Sequence, residues 1–227
     1  MAVSVDTVYQ RVLALANKEQ RGYITPQEYN LFANQAQMDI FEQYFYDINQ
    51  FRRLPGNDSK YADMVDVLED KISFFKSTQS GISNGDSLAN ISNLYRINDL
   101  IYNSTPPKIM EEVRYEDWVL LQSTPLTKAT NSRPSWYRRD GKIWVSHETE
   151  SIDVTYIRKP LKVEWSSFNI GSETYDSTNS VNFELHISEE TKLVIKILGL
   201  AGITLKDPGL YQIAGAEDNK NIQQEKQ

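Results

Sequence analysis

The chain has 227 residues, of which 40% are hydrophobic and 24% are charged, and its formal net charge at pH 7 is -7. This length and composition can bury a hydrophobic core. The sequence has no cysteine, which excludes disulfides, thiolate catalysis and cysteine-ligated zinc and suits synthesis in a reducing cytoplasm. The acidic balance argues against a general nucleic-acid binder, because phosphate neutralisation needs clustered Lys and Arg. No apolar run approaches the roughly 20 residues of a membrane span, and no secretory pattern opens the chain, so we expect no membrane contact.

Three helices are predicted within residues 1–76. Residues 4–19, capped by Ser4, repeat apolar side chains at spacings of three and four, on a face made of Val5, Val8, Val12, Leu15 and Ala16. The segment from Pro26 to about Arg53 carries two adjoining apolar stripes, which indicates a central helix or one with a face for another subunit. A third helix is predicted at residues 61–75. Its acidic residues are interpreted as a solvated face rather than a metal site: Asp63, Asp66, Glu69 and Asp70.

The joint between the first two helices, "NKEQRGYITPQEYNLF" at 17–32, has the spacing of a calcium-binding loop. Its ligand positions would be Asn17, Glu19, Arg21 and Glu28. A cationic Arg21 cannot serve where Ca²⁺ needs an oxygen ligand, and the first position lacks the usual Asp. A structural interpretation accounts for more of these residues. In it, Gly22 stops the first helix, and Thr25, Pro26 and Glu28 start the second helix with a capping box. We therefore favour a helix–turn–helix joint without a metal.

The middle of the chain changes to the period of strands. The polar residues 77–93 are expected to be a long loop. Strands are predicted at 94–102 and 108–115, a short helix at "EDWVLLQS", a hairpin turn at Asp140-Gly141, and another strand at "SIDVTYIRKP". This pattern predicts an antiparallel sheet of roughly four to six strands and a β-rich insertion over residues 94–165.

The C-terminal part returns to helices. A second polar loop is expected at 166–182, followed by C-terminal helices over 183–214. Ser188 is the predicted N-cap, with Val194, Ile197 and Ala201 facing inward and Asp207-Pro208 starting a last helix. Residues 215–227 are expected to be an extended or disordered tail. Together these elements predict one domain, residues 1–227, of the α+β class.

Residues that could carry chemistry are few and scattered. The two histidines, His147 and His186, lie in no metallohydrolase or triad pattern. The adjacent acids Glu111-Glu112 and Glu189-Glu190 could act in acid–base catalysis, but such pairs are common in acidic proteins. No phosphate-binding glycine loop is present, since "GLAG" at 199–202 lacks a preceding strand. We therefore expect no enzyme and assign no catalytic, cofactor-binding or metal-binding residue and no cofactor.

Aromatic residues are the remaining notable group. They are of the type enriched at interface hot spots, and they can equally fill a core: Tyr44, Tyr46, Trp118, Trp136, Trp144 and Trp165. Both interpretations stay open at the level of sequence. A ring built on such anchors would use heterologous contacts, one face of each copy against a different face of the next.

Three phrases of the sequence carry a resemblance. "GKIWVSHETESIDVTYIRKP" and "NFELHISEETKLVIKILGLAGITLKDPGLYQIA" resemble virion structural proteins of tailed bacteriophages, and "YITPQEYNLFANQAQMDIFEQYF" extends the likeness into the N-terminal helices. The similar proteins are neck components of podovirus-like and crAss-like phages, known as head-to-tail connectors, tail adaptors or ring proteins. The likeness covers about residues 94–214 as a pattern of elements, and the loops at 77–93 and 166–182 are longer than in the smallest adaptors.

The resemblance implies a bundle of N- and C-terminal helices with a central antiparallel β-rich insertion. It also implies assembly as a homo-oligomeric ring, a dodecamer, between the portal protein and neighbouring neck or tail rings. Genomic DNA would pass through the lumen without sequence-specific binding, and an acidic chain suits such sliding. The expected location is the neck of the virion, after synthesis in the host cytoplasm. The alternatives are another virion structural protein, tail-tube or capsid-associated, and a calcium-modulated binding module.

Overall fold

The computed structural model describes residues 2–17, 24–51, 64–146, 152–168 and 174–204, together with residues 216 and 220. The helices are α1 (Val5–Asn17), α2 (Pro26–Phe51), α3 (Met64–Ser73), α4 (Tyr115–Ser123) and α5 (Glu190–Thr204). The strands are β1 (Lys76–Ile82), β2 (Leu94–Tyr102), β3 (Lys108–Ile109), β4 (Glu111–Glu112), β5 (Ser135–Arg139), β6 (Lys142–Val145) and β7 (Ile152–Arg158). Helices with largely antiparallel strands confirm the predicted α+β class.

The chain divides into two compact units. The helical unit comprises Met1–Ile72 and Pro160–Gln227, and the β unit comprises Ser73–Lys159. Helices from both chain ends therefore share one unit, as predicted, and a β-rich segment is inserted between them. The insertion begins about twenty residues earlier than residue 94, because β1 belongs to it. Whether the whole chain unfolds as a single domain stays a prediction.

In the helical unit, α1 and α2 both pack against α5. Val5, Val8 and Val12 are fully buried, which confirms the predicted face of α1, and the inward face of α5 is confirmed at Val194, Ile197 and Ala201. Leu15 is exposed, contrary to prediction. The buried face of α1 also includes Tyr9, so the face is centred away from Leu15, which lies at its edge.

The start of α5 corrects the sequence prediction. Residues Ile187–Glu189 form a turn of 3₁₀ helix whose N-cap is His186, and its imidazole accepts the backbone N–H of Ser188. Ser188 is therefore not the cap, and the α-helix proper begins at Glu190. The predicted last helix and tail lie outside the described residues, apart from Ala216 and Lys220, which are both helical.

The β unit contains two sheets where one antiparallel sheet was predicted. The strand orders are β1-β7-β2-β3 and β4-β5-β6, and β4 pairs with β5 in parallel. The chain crosses between the sheets at Met110, whose N–H donates to Leu100, while the next N–H, of Glu111, donates to Pro134. Side chains of both sheets enclose one core, which includes Leu100, Trp136, Ile143, Val154 and Tyr156.

The predicted hairpin turn is confirmed between β5 and β6. Arg139 pairs with Lys142, and Asp140 and Gly141 have φ values of 53° and 67°. Two successive positive φ angles belong to the type I′ turn, whose twist matches that of the strands it joins. The prediction was wrong for strand β1, because most of its residues lie in the segment 77–93, which was expected to be a polar loop.

Candidate functional site

The joint at 17–32 can be judged at its second half, since residues 18–23 lie outside the described ranges. Thr25 N–H donates to Glu28 Oε2 over 3.0 Å, Thr25 Oγ1 donates to the same oxygen over 2.8 Å, and Glu28 N–H donates to Thr25 Oγ1 over 3.3 Å. These bonds confirm the predicted capping box. The hydrogen bonds from Thr25, its backbone N–H first, lower the pKa of Glu28. The carboxylate considered as the last calcium ligand is thus engaged in starting α2.

The other residues singled out for chemistry have separate structural partners. His147 lies outside the described residues, and His186 caps the turn before α5. Glu111 and Glu112 face different arginines, at 3.8 Å from Arg133 and 3.0 Å from Arg138. Nowhere in the described ranges do three or more acidic or histidine side chains come together as a metal site.

Glu189 and Glu190 also diverge. Glu189 is buried and pairs with Lys71 of α3 at 2.5 Å, and Glu190 lies 2.9 Å from the exposed Arg11 of α1. One ion pair therefore ties α3 to the start of α5, and the other reaches α1. Because the two carboxylates serve different helices, they do not converge on a common reaction centre.

The aromatic residues are divided between core and surface. Tyr44, Trp136 and Trp165 are buried, whereas Tyr46 is exposed. Trp165 is the centre of a cluster in the helical unit, with ring centroids 4.4 Å from Tyr9 and 6.1 Å from Tyr175. Its Nε1–H donates to Asp6 over 3.1 Å. Burial raises the pKa of the neighbouring Tyr29, whose hydroxyl donates to the carbonyl of Val5. The core interpretation therefore holds for the buried anchors.

Helix α4 carries the most distinctive exposed surface of the β unit. None of its residues is buried. Tyr115 and Trp118 rest on Tyr137, with centroid distances of 5.4 Å and 4.8 Å. Val119, Leu120 and Leu126, in the helix and the following loop, are exposed, whereas Leu121 is half-buried. Together with the partly exposed Tyr115, these three exposed side chains form what we call the α4 surface. Leu120 is 67% and Leu126 is 92% exposed. A grouping of this kind is typical of an interaction site rather than of a catalytic pocket.

The cluster of aromatic side chains beneath α4 contains two buried hydrogen-bond donors. The indole N–H groups of Trp118 and Trp144 are inaccessible to solvent and have no hydrogen-bond partner within the described part of the chain. Buried indoles usually find an acceptor. The combination of exposed leucines above and unpartnered indoles below identifies α4 and its support as the candidate functional site.

A set of amides that the sequence interpretation missed organises the helical unit. Asn30, Asn34 and Gln37 stand on successive turns of α2, and they grip the extended residues 161–165, which we call the strap. Asn34 accepts from Val163 N–H over 2.9 Å and donates to Val163 O over 2.8 Å. Asn30 does the same with Trp165, over 2.8 Å and 3.1 Å. Gln37 donates to Leu161 O over 2.8 Å. Their spacing of four and three is the signal that could have predicted a shared polar stripe.

No protein family matches the chain, and no curated protein matches it significantly. No helix within the described ranges has the length and apolar character needed to cross a membrane.

Proposed function

We propose that the chain is a non-enzymatic structural protein of a tailed-phage virion, forming a homo-oligomeric ring in the neck between portal and tail. The proposal rests on the resemblance of its sequence phrases to head-to-tail connector and tail adaptor proteins. The observation that carries it is architectural: α1 and α2 pack with α5 from the other end of the chain, and residues 73–159 form an inserted β unit. That is the arrangement which the resemblance implies.

Two further features support assembly. The α4 surface gives the β unit exposed apolar side chains above two indoles whose N–H groups have no partner in the described part of the chain, and such surfaces commonly contact other proteins. The net charge of -7 suits a ring through which DNA must slide, because a basic lining would retain the phosphates. Within this proposal the neighbouring copy covers the α4 surface in a heterologous contact, which repeats around a ring.

The decisive experiment measures the assembly state of the purified chain, alone and with the portal protein of the same genome. Sedimentation and two-dimensional class averages should show a closed ring, a dodecamer by the resemblance, on or with the portal. A chain that stays smaller than a ring even with the portal present would contradict the proposal.

Adding positive charge to the α4 surface tests whether this surface contributes to the ring contact. Leu120→Lys with Leu126→Lys should abolish ring formation and leave the circular dichroism spectrum unchanged, because a desolvated lysine weakens an apolar contact. The matched control adds the same two charges at exposed positions of the helical unit, Gln10→Lys with Asn49→Lys. If both double variants assemble equally well, the α4 surface is not part of the ring contact.

A further inference from the structure

Strand β1 is an edge of the four-stranded sheet, and within the described chain its strand partner is β7 alone. An edge strand presents a row of N–H and C=O groups that can pair with another strand. The edge at the other side, β3, comprises only two residues. β1 is therefore the long open edge of this sheet.

The register shows which groups of β1 point away from the sheet. Arg158 N–H donates to Phe75 O over 2.9 Å, one pair before Lys76↔Ile157. In an antiparallel ladder, pairs that exchange hydrogen bonds alternate with pairs that do not. Ser77 and Gln79 thus bond to β7, whereas Lys76, Thr78 and Ser80 direct their backbone groups outward.

Natural edges are usually blocked by charge, proline or a bulge. β1 has Lys76 at its start and an irregular register between Gln79 and Ile82, where Gly81 has a φ of 77°. Between these two ends, residues 77–80 read Ser-Thr-Gln-Ser, with no charge and no proline. Among the described residues, the central part of the edge therefore has none of these protections.

We propose that β1 pairs antiparallel with β1 of a second copy, across a two-fold axis at Thr78. In this register Lys76 faces Ser80 of the second copy, Thr78 faces its own equivalent, and Ser77 faces Gln79. Every outward N–H and C=O of the three outward residues then has a partner, because the bonded positions of the two strands coincide. The facing side chains are compatible hydroxyls and amides, and Thr–Thr pairs stabilise adjacent strands.

The positions of the charged side chains also favour the register in which Thr78 faces its own equivalent. The two Lys76 residues lie at opposite ends of the joint ladder, so like charges do not face each other. Asp153 stands on β7 opposite Ser80 and Gly81, since Val154 pairs with Gln79 and Ile152 with Ile82. Asp153 and Lys76 lie on the same face of the sheet, because each is two residues from a member of the direct pair Thr155↔Thr78. Lys76 of the second copy thus arrives beside an acidic strand end.

A two-fold contact pairs copies and does not propagate around a ring. The pairing of β1 therefore concerns the free chain, and it stands apart from the proposed neck function.

The test uses the absence of cysteine in the chain. Thr78→Cys places one thiol opposite its equivalent, at about 5.5 Å between Cα atoms in a bonded pair, within the range of roughly 4.4–6.8 Å that a disulfide spans. Mild oxidation should convert this variant to a covalent dimer. Asn49→Cys, at another exposed position, on α2, is the control and should stay monomeric. Cross-linking of Thr78→Cys that is no faster than that of Asn49→Cys would overturn the proposal.

Two further measurements fix the register and exclude a chance collision. Mixed Ser77→Cys and Gln79→Cys chains should form the heterodimer in preference to either homodimer, and preferred homodimers would overturn the register. Without cross-linking, the native chain and Thr78→Val should show concentration-dependent dimers in sedimentation, and Thr78→Lys should not, because its charges meet on the axis. A native chain that is monomeric at all concentrations, yet forms rings with the portal, contradicts the β1 pairing and leaves the neck proposal intact. A native chain that dimerises through β1 but never forms rings supports the β1 pairing and contradicts the neck proposal.

Discussion

The strap and β1 are both extended segments with mainly polar exposed side chains, but their backbones are satisfied differently. In the strap, Glu164 pairs with Val181 on one side, while Val163 and Trp165 bond to side-chain amides of α2 on the other. In β1, one side pairs with β7, and the other side pairs with no strand among the described residues. The strap is thus an extended segment with a helix as its second neighbour, whereas β1 has β7 as its one strand neighbour in the described part of the chain.

The difference shows that a neighbouring helix can close an edge, in addition to the charges, prolines and bulges of the edge strand itself. Asn and Gln side chains offer both a donor and an acceptor, so they can imitate the edge of a strand. Where a helix presents such amides at successive turns, the side of the segment that faces the helix is paired and unavailable to other chains. Where none is present, the same kind of segment can accept another strand.

The largest expected effect comes from the anchor of the strap. Trp165→Ala removes a buried indole that contacts Tyr9 and bonds to Asp6, so we expect a loss of about 3–5 kcal/mol in the free energy of unfolding. Urea denaturation followed by circular dichroism measures it. Phe168→Ala, just beyond the strap and 60% exposed, should change stability by less than about 0.5 kcal/mol. Equal losses in the two variants would show that the strap is not anchored through Trp165.

The amide contacts are expected to matter next. Asn34→Ala leaves both backbone groups of buried Val163 without their partner, which costs about 1–3 kcal/mol. The control is the neighbouring Gln35→Ala, since Gln35 is exposed and bonds only to the side chain of Asp39 among the hydrogen bonds described. The same denaturation assay compares them. If Asn34→Ala is as stable as Gln35→Ala, water replaces the amide and the comparison with β1 fails.

Proline distinguishes the inward and outward residues of β1. Gln79→Pro removes an N–H that bonds to β7 and should destabilise the β unit by about 1–3 kcal/mol. Thr78→Pro removes an outward N–H, so the cost in the free chain should stay below about 1 kcal/mol. Trp136, buried in the core of that unit, contributes to a fluorescence signal for its unfolding. The opposite order of stabilities would show that the assigned alternation is inverted.

The smallest effect concerns the capping box of α2. Thr25→Ala should cost about 1 kcal/mol at neutral pH, because it removes an N-cap hydroxyl. The lowered pKa of Glu28 means that its carboxylate stabilises the fold above the ordinary value of 4.5, and this contribution is lost as the pH falls through the lowered pKa. Glu28→Gln should therefore flatten the acid side of the stability profile.

Calcium titration checks the alternative interpretation of the same residues. We expect no heat of binding from the native chain. Affinity tighter than about 10⁻⁴ M that disappears in Glu28→Gln would mean that Glu28 is a ligand rather than a cap.

The sequence by itself determined the features that depend on neighbouring residues. The Thr25–Glu28 box, the Asp140-Gly141 turn and the buried faces of α1 and α5 follow from capping geometry, positive φ and helical period, which act over a few positions. The same locality explains why the α+β class was predictable from hydrophobic periods.

Only the tertiary structure decided the features that join distant residues. β1 was assigned to a loop because an edge strand needs no apolar alternation, and its pairing with β7 depends on residues about eighty positions away. The split into two sheets depends on where Met110 and Glu111 find their acceptors. The hydrogen bonds from Asn30, Asn34 and Gln37 to the strap join residues more than a hundred positions apart. In the sequence alone, these polar residues are indistinguishable from a solvated helix face. Backbone hydrogen bonding is specified by position in space, and a single sequence encodes that position only through the whole fold.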